Sequence, residues 1–273
     1  MKARLIIGAD HRKWSNPWLV RQPRTTPAEQ RLFCFPYAGG SAQVFQGWSE
    51  WLPSSIEVVA IQAPGKGTRL LEPPCASVDV LCDQLQQALM PLLHEKPFSF
   101  FGHSNGAFIA FELACRLQNR GLPMPEQLLL SASPAPWTRQ SERPFSSMSD
   151  AEFKNALKGL NGTPPAILDD QGLFELLLPG LRADFSLPEN YRFRWPQKLM
   201  AETHIFYGER DEITQHQLLS WQEQIGGPVT FQKIGGGHFF IHSHAAELTA
   251  SIGNRLTIHP RSSRPAEMLS VQA

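Results

Sequence analysis

The chain has 273 residues, and its 25 Lys and Arg residues are balanced by 25 Asp and Glu residues. A formal net charge of zero argues against a polyanionic partner such as nucleic acid. A single α/β domain with an insertion commonly has this length. No apolar run approaches the roughly 18 residues of a membrane span, and the N-terminus lacks the pattern of a secretory signal. We therefore expect a cytoplasmic monomer with no nucleic-acid or membrane partner.

The four cysteines show no metal-binding arrangement. Neither Cys-x-x-Cys pairs nor His-paired spacings occur, and three of the four lie in apolar or helical stretches that are typical of small buried thiols. These residues are Cys34, Cys75, Cys82 and Cys115. We therefore expect a reducing compartment, and neither a metal ion nor a cofactor.

Short apolar runs alternate with helical stretches along most of the chain. The strands are predicted at 31–35, 56–63, 97–101, 126–133, 202–208 and 228–235, and the helices at 78–93, 107–117, 214–225 and 244–256. This alternation predicts an α/β fold with a mostly parallel central sheet and helices on both faces. In such sheets the functional residues lie at the carboxyl ends of the strands.

The alternation has one long interruption, over about residues 135–200, which is rich in proline. We interpret it as an insertion in a domain that spans residues 26–258. Residues 1–25 lack periodicity and are predicted to be a peripheral N-terminal extension. Residues 259–273 are predicted to be a flexible tail for the same reason.

The insertion contains two helix signals. Ser149–Glu152 is a capping box, followed by apolar residues on one face and Gly162 as a stop. An apolar helix over 173–185 is predicted to kink at Pro179. A helical insertion of this kind resembles a lid, whose surplus apolar surface either lines an acyl pocket or packs onto the main domain. The pocket candidates are Leu173, Leu177, Leu181 and Phe185.

The segment over 100–107, which reads FFGHSNGA, places one serine between two glycines where a buried strand meets a helix. Gly102, Ser104 and Gly106 fit the G-x-S-x-G nucleophile elbow, in which a strained backbone exposes the serine oxygen above the sheet. A glycine-rich turn without chemistry is the alternative. The strand before the motif and the helix after it favour the elbow.

A serine hydroxyl becomes a nucleophile only when a base takes its proton and a third group orients that base. His238 follows a strand and three glycines, so its loop can carry an imidazole over the elbow. Asp211 follows the strand at 202–208 in a G-x-x-D arrangement and is the predicted acid, with Glu209 and Glu212 as competitors. The chain order Ser, Asp, His is that of α/β-hydrolases.

An oxyanion hole requires two backbone N–H donors near the serine. Asn105 follows the nucleophile and supplies the first donor. The second donor is predicted to be Ala38, in the loop that follows the strand at 31–35. Gly39 and Gly40 allow the backbone of this loop to approach a substrate closely.

Several segments together resemble type II thioesterases, the discrete editing enzymes that accompany polyketide synthases and nonribosomal peptide synthetases. The segments are RLFCFPYAGGSAQVF, EVVAIQAPGKGTRLLEP, FFGHSNGAFIAFELACRL, FYGERDEIT and GGGHFFI, and the resemblance runs from about Trp18 to about Leu256.

The resemblance implies an α/β-hydrolase fold with a helical lid, acting on acyl groups held as thioesters on the phosphopantetheine arm of an acyl or peptidyl carrier. It assigns the catalytic triad to Ser104, Asp211 and His238. It also assigns the oxyanion donors to the backbones of Ala38 and Asn105. No cofactor is implied.

The chain departs from the usual family motifs at two positions. Asn105 stands where the family has methionine, and Lys66 stands where it has arginine. The change at Asn105 leaves the backbone donor in place and is expected to alter the pocket. Lys66 and Arg69 lie in a loop after an early strand, so we interpret them either as contacts to an acidic carrier or as two solvated loop charges.

Two other functions remain open at the level of the sequence. The same triad hydrolyses oxygen esters, so a carboxylesterase or lipase on small free esters is one alternative. A carrier-docking module that kept the fold without turnover is the other. A pure binding module has no need of all three triad residues, which argues against it.

Overall fold

One sheet of seven strands forms the centre of the computed structural model, which describes residues 16–22, 24, 26–138 and 144–258. The strands are β1 (Leu19–Arg21), β2 (Gln30–Phe35), β3 (Ile56–Ile61), β4 (Phe98–His103), β5 (Gln127–Ser131), β6 (Glu202–Gly208) and β7 (Val229–Ile234). Their spatial order is β1-β3-β2-β4-β5-β6-β7. Only β1 is antiparallel to its neighbour in this sheet, and the other pairs are parallel. The predicted mostly parallel sheet is confirmed.

Helices cover both faces of the sheet. In the described part of the chain they are α1 (Trp48–Trp51), α2 (Val78–Leu93), α3 (Asn105–Asn119), α4 (Asp150–Leu160), α5 (Pro165–Asp169), α6 (Gln171–Asn190), α7 (Gln215–Leu219), α8 (Trp221–Gln224), α9 (Phe240–Ser243) and α10 (Ala245–Ile258). Helices α2 and α3 pack on one face, and α1, α9 and α10 pack on the other. The predicted three-layer arrangement of an α/β protein results.

Strand β2 shows why the sequence forms these layers. Phe33 and Phe35 pack into the layer with α2 and α3, whereas Leu32 and Cys34 pack into the opposite layer. All four side chains are at most 1% exposed. A strand buried on both faces is apolar at every position rather than alternately. Uninterrupted apolar runs therefore predicted the central strands well.

The chain enters the sheet earlier than the sequence predicted. Leu19–Arg21 forms the edge strand β1 inside the segment predicted to be peripheral, and it pairs with β3. The Trp18 indole is 9% exposed and lies under the Arg69 guanidinium, with 4.6 Å from Cζ to the ring centroid. Three residues are too few to show a periodicity, which is why the pattern missed them. Residues 1–15 and the predicted tail over 259–273 lie outside the described residues.

The segment between β5 and β6 contains α4, α5 and α6. The predicted capping box is confirmed, because the Ser149 hydroxyl accepts from the backbone N–H of Glu152 while the Glu152 carboxylate accepts from that of Ser149. Helix α4 ends at Leu160, and its cap is Asn161, in the left-handed conformation at φ +54°, rather than the predicted Gly162. Helix α6 continues through Pro179.

Gly106 marks a point where α3 and the end of β2 approach too closely for any side chain. A Cβ atom at Gly106 would overlap the Phe35 carbonyl oxygen. We expect Gly106→Ala to lower the free energy of unfolding by about 3 kcal/mol, because backbone atoms on both sides must move. Chemical denaturation measures this loss.

Gly159 provides the matched control for this substitution. It lies inside α4, and a Cβ there meets no atom within 4 Å. Gly159→Ala should leave stability unchanged or raise it by up to about 1 kcal/mol, through the helix propensity of alanine. Equal effects at the two glycines would contradict the close-approach argument.

Candidate active site

Ser104 lies on a sharp turn between β4 and α3, with φ +55° and ψ −114°. An L-residue rarely adopts a positive φ, so this backbone is strained and persists only because its surroundings impose it. A Cβ at Gly102 would overlap the Gly106 carbonyl, so the two flanking glycines permit the turn. The Ser104 N–H donates to Ser131 O at 2.7 Å, which fastens the turn to β5.

The structure brings the three predicted triad side chains together. His238 Nε2 lies 3.0 Å from Ser104 Oγ, and His238 Nδ1 lies 3.0 Å from Asp211 Oδ2 and 3.2 Å from Oδ1. A carboxylate only accepts hydrogen bonds, so Nδ1 carries the proton and Nε2 accepts from the serine hydroxyl. This arrangement can transfer the hydroxyl proton to His238 during nucleophilic attack.

The geometry separates Asp211 from the two competing carboxylates. The Asp211 side chain is 5% exposed and lies against His238. Glu209 is half exposed and accepts from Lys233 Nζ at 3.3 Å, and Glu212 is exposed. Asp211 follows the end of β6, where its N–H donates to Gly208 O at 3.2 Å, and this turn directs a short side chain inward.

His103 connects the nucleophile turn to the His238 loop, a role that the sequence did not indicate. Its ring is fully buried, with Nδ1 2.9 Å from Ser131 Oγ and Nε2 2.9 Å from His238 O. A carbonyl only accepts, so Nε2 carries the proton and Nδ1 accepts from the Ser131 hydroxyl. Burial, and next the nearby His238, lower the pKa of His103 well below its usual range. The ring therefore stays neutral.

The predicted oxyanion loop follows β2 and contacts the nucleophile turn. A Cβ at Gly106 would overlap Phe35 O and come 2.7 Å from Pro36 O, so the two backbones are in direct contact. Ala38 and Asn105 line the same cavity, of about 40 Å³. Both residues thus border one small space next to the nucleophile turn.

Two cavities lie next to the site. The smaller has an apolar wall from Phe35, Ile61, Leu81, Leu85, Ile109 and Leu187, with a polar part from Lys66, Asn105 and Asp184. The larger measures about 450 Å³ and lies between α4, α5 and the segment after His238. Tyr37 lines both cavities, and Phe239 and His242 line the larger one. The Tyr37 hydroxyl lies 2.8 Å from His242 Nε2.

The predicted acyl-pocket residues are corrected by the structure. In the part of the chain that the structure describes, none of the four lines either cavity. Leu181, Leu177 and Phe185 pack with Phe153 in the separate core of the insertion, and Leu173 is 37% exposed. The insertion needs a core of its own, so the packing alternative is the one observed.

Helix α6 does contribute to the smaller cavity, through Asp184 and Leu187 instead. These residues are three positions apart and therefore lie on one face of the helix. The sequence contained this signal, because an acidic residue stands inside an apolar helix. Leu181 touches the site differently, since its Cδ2 lies 2.8 Å from where a Gly39 Cβ would stand.

Lys66 and Arg69 are also corrected. Both side chains are 9% exposed, so they are neither solvated loop charges nor accessible contacts for a carrier. Lys66 Nζ forms an ion pair with Asp184, and Arg69 pairs with Glu72 and donates to Gln62 O at 3.1 Å. The loop after β3 folds back onto the domain, and a loop position in the sequence does not reveal this burial.

Within the described ranges, no group of three or more His, Cys, Asp or Glu side chains could hold a metal ion. No helix among the described residues is long and apolar enough to cross a membrane.

The elbow serine, the histidine and the carboxylate on this sheet define a serine hydrolase of α/β-hydrolase fold. Residues 30–256 match the thioesterase domain family. That match covers most of the chain, which belongs to this family.

Comparison with known proteins identifies a narrower group within the thioesterase family. The gramicidin S biosynthesis protein GrsT of Aneurinibacillus migulanus is 35% identical over 234 residues, which cover 85% of this chain and 91% of GrsT. The type II thioesterase BorB from the borrelidin biosynthetic cluster is 34% identical with a TM-score of 0.78, covering 88% of this chain and 97% of that chain. The RedJ thioesterase from the prodiginine pathway of Streptomyces coelicolor is 34% identical with a TM-score of 0.77. The match covers 84% of this chain and 92% of that chain. The resemblance to type II thioesterases is confirmed.

The buried neutral ring of His103 predicts a pH-dependent stability. Its folded pKa is depressed below the usual 6.5, so its contribution is present above about pH 6.5 and is lost as pH falls towards the folded pKa. Each pH unit in that window costs about 1.4 kcal/mol. Between pH 7 and pH 5 the wild type should therefore lose more unfolding free energy than His103→Gln.

Urea unfolding at the two pH values measures this difference. The pKa of His242 is also lowered by burial, but His242 is present in both proteins and cancels in the comparison. Equal losses in the wild type and in His103→Gln would show that His103 titrates normally in the folded state.

Proposed function

We propose that the protein hydrolyses acyl thioesters on the phosphopantetheine arm of acyl or peptidyl carriers in a polyketide or nonribosomal peptide pathway. The observation that carries this proposal is the aligned contact of Ser104, His238 and Asp211 in a chain of the thioesterase family. Editing of stalled carriers and release of a product use the same chemistry, and both fit the site.

In the first half of the proposed reaction, Ser104 Oγ attacks the thioester carbonyl carbon while His238 Nε2 takes the hydroxyl proton. The tetrahedral oxyanion accepts hydrogen bonds from the backbone N–H groups of Ala38 and Asn105. The C–S bond then breaks, His238 returns its proton to the leaving sulfur, and the acyl group stays on Ser104 as an ester. Asp211 orients the imidazole and stabilises its positive charge throughout.

In the second half, a water molecule attacks the acyl-serine carbonyl carbon while His238 accepts one of its protons. The bond from the carbonyl carbon to Ser104 Oγ breaks, and the proton passes from His238 to the serine oxygen. The products are the free acid and the original enzyme. No cofactor takes part in either half.

A thioester suits a site with this limited machinery. A thiol has a pKa of about 8.5, so a thiolate leaves more readily than an alkoxide. A nucleophile, a base and an oxyanion hole are then sufficient. The same groups also cleave oxygen esters, so a carboxylesterase remains the second candidate, favoured by the generality of the triad. A docking module without turnover has no use for the triad contacts.

The test compares the same acyl groups on a phosphopantetheinylated carrier and as free oxygen esters. The proposed function predicts a higher kcat/KM for the carrier-bound thioesters. A preference for free oxygen esters would identify an esterase instead. Carrier binding without hydrolysis of either substrate would identify a docking module.

The triad assignment predicts a large loss of turnover at each of its three residues. Ser104→Ala and His238→Ala should each lower kcat by about 10⁴-fold or more, because the triad acts as a unit. Asp211→Asn should lower kcat by about 10⁴-fold, since the amide can hold the imidazole in the wrong tautomer and no longer offers a negative charge to stabilise the imidazolium. Steady-state hydrolysis of an acyl thioester measures these losses, and circular dichroism checks that the variants fold.

Glu209→Gln is the matched control for Asp211→Asn. Both substitutions neutralise a carboxylate in the same loop, but Glu209 contacts Lys233 at the surface rather than His238. The control should change kcat by less than about twofold, as is usual for surface substitutions. A large loss for Glu209→Gln with a small loss for Asp211→Asn would move the acid to Glu209.

A further inference from the structure

The two positions at which the chain departs from the family motifs contact the same residue of the insertion. Lys66 Nζ forms an ion pair with the Asp184 carboxylate, and Asn105 Nδ2 donates to the Asp184 backbone carbonyl at 2.7 Å. Methionine at position 105 could not make the second bond, because its thioether donates no proton. The two departures therefore belong to one local arrangement.

Asp184 also contacts the oxyanion loop. Its Oδ2 atom accepts from the backbone N–H of Gly39 at 2.5 Å, one residue after Ala38. Lys66 Nζ additionally donates to Gly180 O at 3.4 Å, one turn earlier in α6. One face of α6 is thus fastened to the loop after β2, the loop after β3 and the nucleophile turn.

The contacts of Asp184 are sheltered from water. The Lys66 and Asp184 side chains are 9% and 16% exposed. An ion pair at this depth is screened much less than a surface pair, and a partner left alone there is strongly unfavourable. The pair therefore holds α6 in place more firmly than an exposed pair of the same geometry would.

The fastened face of α6 forms part of the wall of the smaller cavity. Asp184, Lys66 and Asn105 all line it, next to Ala38. Its volume of about 40 Å³ holds about three water molecules, at roughly 10–15 Å³ for each. An acyl chain of only a few carbons fits that space. A longer chain in this cavity requires one of its walls to move, and α6 is the wall that the Asp184 contacts hold in place.

We propose that Asp184 determines the length of the acyl group, by fixing the α6 wall of the cavity through Lys66, Asn105 and Gly39. This inference rests on the proposed function in naming the substrate as an acyl thioester. The site itself, an acyl cavity beside Ser104, is the same for an oxygen ester.

The test is the double variant Lys66→Met/Asp184→Ala, which removes both charges and so leaves neither partner buried alone. The measured quantity is the ratio of kcat/KM for an octanoyl thioester to that for a propionyl thioester. We expect the ratio to rise about tenfold. This is the lower end of the discrimination in kcat/KM that one methylene group gives in a hydrophobic pocket. A ratio within twofold of the wild type would overturn the proposal.

The matched control removes an ion pair of the insertion that lies away from the cavity. Arg182 Nη2 lies 2.5 Å from Asp150 Oδ1 at the surface of α4 and α6, and neither residue lines the smaller cavity. Arg182→Met/Asp150→Ala should keep the octanoyl-to-propionyl ratio within twofold of the wild type. An equal rise in this control would assign the effect to the stability of the insertion and overturn the proposal.

Lys66→Met/Asp184→Asn keeps the test decisive if the first double variant does not fold. The amide oxygen at position 184 can still accept from Gly39, while the ion pair is lost and neither partner is left charged, so the ratio should rise by about threefold, less than in the first double variant. An unchanged ratio in the folded Lys66→Met/Asp184→Asn protein would overturn the proposal. If the wild type cleaves only oxygen esters, the proposed function fails, and the same ratio measured on octanoyl and propionyl oxygen esters still decides the role of Asp184.

Discussion

The close approach of β4, α3 and the loop after β2 is the constraint on which the rest of this structure depends. At Gly102 and Gly106 the backbones touch, and no side chain fits between them. That contact holds Ser104 at a positive φ and brings the loop after β2 against the nucleophile turn. Burial of both faces of the sheet offsets the backbone strain at Ser104. The geometry of the catalytic serine therefore depends on the stability of the core.

The histidine and the acid reach this turn from distant parts of the chain, and buried polar contacts align them. Asp211 follows β6, and His238 follows β7. His103 donates to the backbone of His238 while accepting from Ser131, so the strand that carries the nucleophile also anchors the loop that carries the base. The neutral ring suits this task, because a buried charge beside His238 would oppose the imidazolium that forms during catalysis.

The sequence predicted the parts of the molecule that local chemistry determines. Continuous apolar runs identified the central strands, and the glycines around Ser104 identified the elbow. The orientation of α6 could not be predicted, because its leucines are equally suited to lining an apolar cavity and to packing in a core. Burial of Lys66 and Arg69 was hidden for a similar reason: a loop charge becomes internal only through partners such as Asp184, which is 118 residues away.

Helix α6 shows how one insertion serves two requirements. Its Leu177 and Leu181 build the core that lets the insertion fold, and its Asp184 and Leu187 face the cavity beside Ser104. Because Lys66 and Asp184 neutralise each other, they make the cavity wall polar without giving it a net charge. Polar anchoring through Asp184 therefore coexists with an apolar wall from Phe35, Ile61, Leu81, Leu85 and Ile109, which is the surface that the proposed function assigns to the acyl chain.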